Sequence, residues 1–196
     1  KYRRHDKATQ LFKFAEDVQL PGYWMYGGQS RNDTLAMKSA GHEIKGAQAL
    51  IDGGIVELNY PLMAAFTYLG KRVLCMSLLP VKGFETLVQG KQSVKPGEDM
   101  LVTPKEPAVQ RVMDLMGAKL FIGKDDRGIV GPFDLEIHRG HDGKLYVIDP
   151  ARLMPPEYPE DFPKLGRGIF YQLLRPELLR KVGKMLVPDA LLLRNM

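Results

Sequence analysis

The sequence predicts an α+β fold in which antiparallel β-hairpins pack against helices. Residues 133–138 alternate apolar and polar side chains, and an apolar return strand at 145–148 follows an Asp-Gly turn. Two further apolar runs flank residues 69–71, which indicates a second antiparallel hairpin. Residues 35–51 and 107–120 instead repeat apolar side chains at helical spacing. Together these patterns define the α+β class.

The first half of the chain predicts two helices, a loop and a hairpin. Residues 7–18 carry apolar side chains at helical spacing and predict a short amphipathic helix. Residues 22–33 are rich in glycine and small polar residues, which is typical of a loop. The second helix is expected over 35–51, with two internal glycines that indicate close approach of another backbone or an early helix end. Residues 61–80 are expected to form the hairpin that flanks 69–71.

The second half predicts short strands, a helix, the acidic hairpin and two final helices. A short strand is expected within 83–90, and another at 100–102 after a polar excursion. The helix at 107–120 begins with a proline, which suits its first turn. The hairpin of 133–148 follows, and 168–195 predicts two helices interrupted at an Arg-Pro pair.

The composition is that of one globular domain. With 196 residues, 44% of them hydrophobic and 26% charged, the chain suits one well-buried core and excludes disordered, collagen-like and membrane compositions. No apolar run approaches the roughly 20 residues of a spanning helix, so no transmembrane segment is expected. The single cysteine, Cys75, has no partner for an internal disulfide, which fits a reducing, cytoplasmic compartment.

The net charge of +5 permits binding to polyanions. RNA, phosphates and anionic membranes are all compatible with this excess, and so is a purely solubilising role. Most of the excess lies near the two ends of the chain, in Lys1, Arg3, Arg4, Lys7 and Lys13 and in Arg175, Arg180, Lys181, Lys184 and Arg194.

The acidic hairpin carries the candidate metal ligands. Asp134 and Glu136 lie two residues apart on a predicted strand, so their side chains are expected on the same face. Asp149 follows the return strand, where phosphotransferases place a carboxylate that holds magnesium against nucleotide phosphates. The alternative is that these carboxylates pair with neighbouring cations, namely Lys144, Arg139 or Arg152.

Cations on the second helix are the candidate phosphate ligands. Lys38, His42 and Lys45 follow one another at spacings of four and three, and Arg152 follows the acidic hairpin. A solvated helix face explains the same spacing. The chain contains no Gly-rich nucleotide loop and no G-x-S-x-G elbow, which excludes Rossmann-type and α/β-hydrolase functions. The strand at 71–80 lacks a central lysine, which argues against an ordinary kinase.

Five ordered stretches of sequence resemble the CLU domain of the clustered-mitochondria family. They read AMKSAGHEIKG, PLMAAFTYLGKRVLCMSLLP, TLVQG, GPFDLEIHRGHDGKLYVIDPARLMPPE and LLRPELL. The resemblance covers roughly residues 20–180 and implies an N-terminal helical extension (1–20), a CLU-like α+β domain (21–180) and a C-terminal helical tail (181–196). It also implies a cytoplasmic protein that influences mitochondrial distribution and associates with messenger RNA and ribosomes.

Twelve residues of this chain fall on positions that the family pattern specifies, and the resemblance assigns a catalytic role to none of them. The chain departs from the family words at 86–99, where members usually have a tyrosine and a serine around the glycine. It departs again at Pro150, where an aromatic residue is common. The twelve residues are Lys38, His42, Lys45, Asp134, Glu136, His138, Asp142, Asp149, Arg152, Pro155, Pro156 and Arg175.

Two functions remain open at this point. The first is a binding domain whose partner is RNA or a ribosome-associated protein, with an indirect association with mitochondria. The second is a distantly kinase-like phosphotransferase, or a nucleotide-binding relic of one, that uses ATP and magnesium held by Asp134, Glu136 and Asp149. The first function needs no cofactor, and the sequence leaves open whether the protein is an enzyme.

Overall fold

The predicted α+β class is confirmed: two β-sheets share the chain with four helices in the part that the structure describes. The structure is a computed structural model. It describes residues 2–4, 10–15, 18–27, 33–68, 71–95, 98–157 and 172–190.

The first sheet is built from the N-terminal strands and the hairpin predicted at 61–80. Its antiparallel strand order is β1-β3-β6-β5, with β2 also paired to β3. The strands are β1 (Tyr2–Arg4), β2 (Gln10–Ala15), β3 (Val18–Gly27), β5 (Met63–Tyr68) and β6 (Lys71–Ser77).

Two predictions for the N-terminal region are wrong. The helix predicted at 7–18 is replaced by β2 and the start of β3, and part of the loop predicted at 22–33 belongs to β3. Leu11, Phe12, Ala15 and Val18 recur at helical spacing, whereas Phe12 and Phe14 lie two residues apart, as on one face of a strand, so the local pattern is ambiguous. The pairing of β3 with β6 decides in favour of strands, since Trp24 of β3 lies opposite Cys75 of β6. Contact with this distant strand overrides the local helical propensity.

The second sheet contains the acidic hairpin. Its strand order is β4-β10-β9-β7-β8, in which β4 runs parallel to β10 and the other pairs are antiparallel. The predicted strand within 83–90 begins later and runs further than expected, because residues 83–86 form a helical turn. The strands are β4 (Leu58–Asn59), β7 (Leu87–Lys95), β8 (Glu98–Val102), β9 (Glu136–Arg139) and β10 (Leu145–Ile148).

Four helices accompany the sheets in the described ranges: α1 (Asp33–Asp52), α2 (Gly83–Thr86), α3 (Pro107–Leu120) and α4 (Pro176–Val182). The α3 helix starts at a proline, as predicted. Its buried face joins the main core, whose members include Leu50, Met113, Met116, Ile137, Val147 and Leu153. Within the described ranges, no helix combines the length and the apolar character needed to cross a lipid bilayer.

The α1 helix connects the two sheets. Ala40 packs with Leu74 and Met76 of the first sheet. On the other side, a Cβ atom at Gly46 would lie 2.0 Å from the carbonyl oxygen of Pro150, which belongs to a 3-10 turn (Pro150–Arg152) after β10. The close backbone approach predicted from the glycines of this helix is therefore present at Gly46.

The C-terminal helices differ from the prediction for 168–195. The α4 helix begins at the Arg-Pro pair as expected, but it ends at Val182, where Gly183 adopts a left-handed conformation with φ of 68°. The residues from 183 to 190 contain no helix, and Leu173 pairs with Pro156 in an isolated bridge. The helical character predicted for the end segment 1–20 is wrong where that segment is described. In the predicted tail of 181–196, residues 181 and 182 belong to α4, and the described residues after them are not helical. The domain boundaries themselves stay predictions. Residues 158–171 and 191–196 lie outside the described residues.

Candidate functional site

The acidic hairpin, defined as residues 131–157, is held by a fully buried apolar strip. Leu135, Ile137 and Val147 are each 0% exposed and belong to the main core. The hairpin closes where Gly140 and Lys144 share a backbone hydrogen bond of 2.8 Å. Because the core fixes both strands, the polar side chains around them are held in defined positions.

Asp134 does not share a strand face with Glu136, so that prediction is wrong. The strand β9 starts at Glu136, and Asp134 lies in the turn before it. The turn is closed by the N–H of Leu135, which donates to the carbonyl of Pro132 at 3.0 Å. As a result the two carboxylates take different partners.

Asp134 forms a bidentate ion pair with Arg152. The guanidinium Nε and Nη2 atoms lie 2.7 and 2.6 Å from the two carboxylate oxygens. Burial lowers the pKa of Arg152, but hydrogen bonding and charge attraction from Asp134 and Asp189 outweigh burial and raise it above its ordinary value. The predicted alternative, in which a hairpin carboxylate pairs with Arg152, therefore describes Asp134.

Asp189 completes this cluster from the C-terminal segment. Its Oδ1 accepts a hydrogen bond from Nη1 of Arg152 at 3.2 Å, and its Oδ2 accepts the N–H of Phe133 at 2.7 Å. The side chain is 3% exposed. Burial raises the pKa of Asp189, and the Arg152 charge and the Phe133 hydrogen bond offset only part of that rise.

Two cations lie close to the Phe133 ring. The Nζ of Lys91 lies 5.0 Å from the ring centroid, and the Cζ of Arg152 lies 4.7 Å from it. We call Phe133, Asp134, Arg152 and Asp189 the arginine latch. The latch ties the C-terminal segment to the acidic hairpin. Sequence reasoning missed Asp189, whose only signal is a carboxylate inside the apolar stretch MLVPDALLL.

Glu136 belongs to a second network, with His138 and Thr86. His138 is 1% exposed; its Nε2 lies 3.1 Å from Glu136 Oε2 and its Nδ1 lies 3.0 Å from Thr86 Oγ1. An ionised carboxylate only accepts, so for neutral His138 we assign the proton to Nε2 and let the Thr86 hydroxyl donate to Nδ1. The Thr86 oxygen also accepts the N–H of Lys82 at 2.8 Å. This network fixes α2 and β7 against β9.

The turn of the hairpin has its own partners. Asp142 accepts the hydroxyl of Tyr146 at 2.7 Å, and this hydrogen bond lowers the pKa of Asp142. Burial, together with the hydrogen bond and charge of Asp142, raises the pKa of Tyr146 to about 12. Arg139 pairs with Glu106 and donates to the carbonyl of Gly143 at 3.0 Å. Arg139 thus reaches beyond the hairpin and does not pair with its carboxylates.

The predicted magnesium ligands are not gathered into one cluster. Among the residues that the structure describes, no three His, Cys, Asp or Glu side chains are placed to hold a metal ion. Asp134 is bound to Arg152 and Glu136 to His138, while Asp149 lies before the 3-10 turn in a left-handed conformation with φ of 57°. A magnesium site at these residues stays a prediction, and it would require Asp134 to leave Arg152.

The predicted phosphate ligands lie on two neighbouring elements. His42 is half-buried and Lys45 is exposed on α1, whereas the side chain of Lys38 lies outside the described part of the structure. The Gly46 contact places the turn that carries Arg152 against this helix. Three nitrogens of Arg152 already donate to carboxylates, so a phosphate there would compete with Asp134 and Asp189 for the guanidinium charge.

The opposite charge is concentrated in residues 175–184, which we call the basic segment. Its four cations, Arg175, Arg180, Lys181 and Lys184, are all exposed, and none of them forms an ion pair with a residue that the structure describes. The segment is anchored by Leu179, which is 1% exposed. These charges are therefore presented to solvent.

The comparisons with known proteins identify a family. The family model for clustered mitochondria (CLU) matches residues 7–159, about four-fifths of the 196-residue chain. The match includes β2 at its start and the whole acidic hairpin at its end, so it begins earlier and ends earlier than the predicted span of 21–180. Neither the curated proteins nor the solved structures contain a match to this chain. The chain belongs to the clustered mitochondria family and carries its CLU domain.

Proposed function

We propose that this chain, whose residues 7–159 match the CLU domain, binds RNA as part of a cytoplasmic protein through the basic segment that follows the matched region, and that its association with mitochondria is indirect. The observation that carries the proposal is the basic segment, whose four cations are exposed and have no carboxylate partner among the described residues. Membership of the clustered mitochondria family supports a role related to mitochondria, and RNA or ribosome association is the finer part of the proposal.

The chemistry of the basic segment favours contacts to phosphates rather than to bases. Residues 175–186 contain no aromatic side chain on which a base could stack. Lysine and arginine neutralise phosphates and release counterions, which gives affinity that falls steeply with salt and depends little on sequence. We therefore expect binding to single-stranded RNA with weak sequence preference.

The acidic hairpin supports a binding function over phosphoryl transfer. Asp134 and Arg152 neutralise each other, whereas the kinase-like alternative offers them for separate tasks, Asp134 as a candidate ligand of magnesium and Arg152 as a candidate ligand of phosphate. Glu136 is likewise engaged by His138. The hairpin charges are therefore used within the fold, whereas those of the basic segment are available to a partner.

The test is fluorescence anisotropy with a labelled single-stranded RNA of about 20 nucleotides, measured over a range of salt concentrations. Four phosphate contacts predict a slope of log K against log salt of about −3. The variant R175Q/R180Q/K181Q/K184Q should lose most of this slope. The matched control, K105Q/R111Q/K119Q/K144Q, removes the same number of exposed cations elsewhere and should keep the slope.

Two results would overturn the proposal. Equal weakening in both quadruple variants would mean that net charge, not the basic segment, attracts the RNA. Absence of salt-dependent binding in the unmodified chain would remove RNA as the ligand, and a ribosome-associated protein partner would then become the better candidate.

The kinase-like alternative has its own measurement. A native-state ligand raises the apparent melting temperature by mass action, so ATP binding would be visible in thermal unfolding. We expect no magnesium-dependent rise with millimolar ATP. A rise that disappears in a folded Asp149→Ala variant would establish the alternative instead.

A further inference from the structure

A groove with an apolar floor lies where α1 ends and β4 begins. It is lined by side chains from residues 51–60 and has a volume of about 390 Å³. This volume falls within the range of natural ligand sites. The groove is built from one continuous piece of chain, so its shape depends on the turn between α1 and β4.

The floor of the groove is buried in the core, and part of its lining is unusually exposed. Ile55 and Leu58 are each 3% exposed and belong to the main core. Val56 is 86% exposed and Ile51 is 46% exposed, and both line the groove. A single exposed aliphatic side chain is ordinary on a soluble protein. Two of them lining one concave surface offer contact area to an aliphatic side chain of a partner.

Two carboxylates stand next to lining residues in the sequence, although the chain as a whole is basic. Asp52 and Glu57 are exposed, and neither forms an ion pair with a described residue. Asp52 accepts only a neutral hydrogen bond, from Gln48 at 2.8 Å. The last turn of α1 contains no basic residue, so the negative end of the helix dipole adds to the two carboxylates.

The adjacent strand leaves room for a partner. β4 is the last strand of its sheet in the described residues, with β10 on one side. Asn59 uses its side-chain amide to donate to Leu145 on that same paired side. Both residues of β4, Leu58 and Asn59, line the groove.

We propose that this groove docks a cationic, aliphatic peptide segment of a partner protein. One aliphatic side chain of the segment fills the groove against Ile55 and Val56, and flanking lysines or arginines pair with Asp52 and Glu57. The choice of partner follows from charge complementarity, because both carboxylates repel acidic peptides and nucleic acid. The groove is separate in sequence and opposite in charge to the basic segment, so it extends the function beyond RNA.

The test uses fluorescence anisotropy with a labelled synthetic peptide of sequence KLKVRS and the full chain. Two control peptides isolate the two contributions: ELEVES reverses the charge, and KGKGRS removes the aliphatic side chains. Asp52→Lys combined with Glu57→Lys should weaken binding of KLKVRS by about tenfold. The matched control, Asp126→Lys combined with Glu157→Lys, makes the same change in net charge at exposed carboxylates elsewhere and should leave the affinity unchanged.

The aliphatic contact is tested by a second matched pair. Val56→Ser should weaken binding severalfold, whereas Val182→Ser, at a valine that is 50% exposed on α4, should not. The RNA affinity should be the same in the Val56→Ser variant and the unmodified chain, which distinguishes failure at the groove from failure at the basic segment.

Several outcomes would overturn this proposal. The groove is not a peptide site if KGKGRS binds as tightly as KLKVRS, or if both charge-reversed variants lose affinity equally. If KLKVRS does not bind to the folded chain, the groove is likewise not a peptide site. Self-association that Val56→Ser abolishes, without competition from the peptide, would assign the groove to a second copy of the chain instead.

Discussion

The acidic hairpin and the basic segment each contain a cluster of charged residues, but they use these charges differently. In the hairpin, Asp134 and Arg152 satisfy each other, and the Arg152 side chain is only 15% exposed. In the basic segment the four cations are exposed and have no ion-pair partner in the described residues. The charged residues of the acidic hairpin thus stabilise the fold, whereas the cations of the basic segment are exposed to solvent and can contact a partner.

The origin of the counter-charge explains the difference. Arg152 is 18 residues from Asp134 and 37 residues from Asp189, and the fold brings both carboxylates to it. Leu179 anchors the basic segment, but no described carboxylate folds onto its cations. The position of distant partners, rather than the local charge pattern, decides which cluster remains free to bind. The comparison can be tested by removing charges from each region.

The largest effect is expected at Arg152. Arg152→Ala leaves Asp189 buried without its guanidinium partner, and breaking such a pair costs about 3–5 kcal/mol of the free energy of unfolding. Urea denaturation measures this loss. The control is Arg139→Ala, whose Glu106 partner is 50% exposed at the side chain, and which should cost less than about 1 kcal/mol. Equal losses in the two variants would mean that the latch is no more structural than a surface ion pair.

A comparable loss is expected where the hairpin meets α1. A Cβ atom at Gly46 would lie 2.0 Å from the Pro150 oxygen. Gly46→Ala must therefore move the turn that carries Arg152, at a cost of about 3 kcal/mol. At Gly41 in the same helix, a Cβ atom would have no neighbour within 4 Å, so Gly41→Ala should stabilise the protein by about 0.5–1 kcal/mol. Thermal unfolding should therefore show a lower melting temperature for Gly46→Ala and a higher one for Gly41→Ala. A change in the same direction in both variants would contradict the close approach at Gly46.

Local patterns predicted the elements that are stabilised locally. The alternating side chains and the Asp-Gly turn were sufficient to predict the hairpin of β9 and β10. Pro107 was sufficient to predict the start of α3. The N-terminal strands were missed because the apolar residues at 11–18 recur at helical spacing although Phe12 and Phe14 also fit a strand. The strand β6, whose pairing with β3 decides between the two, lies about 50 residues away along the chain.

The candidate site shows the same limit. The hairpin carboxylates were located correctly in sequence, and the pairing of one of them with Arg152 was among the predicted alternatives. Asp189 was not predicted, because nothing in its neighbourhood indicates an arginine partner 37 residues earlier. Side-chain partners of high sequence separation need the tertiary fold before they can be assigned.

A smaller effect is expected from the pH dependence of the latch. Burial raises the pKa of Asp189, with Arg152 offsetting part of the rise. A carboxyl with a raised folded-state pKa binds more protons when folded, so its contribution is fully present below the unfolded pKa of about 4 and is lost as the pH rises through the folded value. Asp189→Asn removes this titration. The stability of the unmodified chain should therefore fall relative to the variant as the pH rises through that range.

Urea denaturation of both proteins between about pH 3.5 and pH 7 checks this sign. A relative stability that instead increased with pH would mean that the attraction of Arg152 exceeds the burial cost of Asp189. The latch would then behave as an ordinary stabilising ion pair, and the contrast with the exposed cations of the basic segment would be weaker.

The smallest effect is expected in the basic segment. The variant R175Q/R180Q/K181Q/K184Q changes only exposed side chains, so the free energy of unfolding should change by less than about 1 kcal/mol in total, including the weak interaction of two cations with the end of α4. Four charges of this segment should thus contribute less to stability than Arg152 alone. Urea denaturation at physiological salt measures the change. A loss as large as that of Arg152→Ala would mean that the cations are structural, and weaker RNA binding by the same variant would then reflect unfolding rather than lost phosphate contacts.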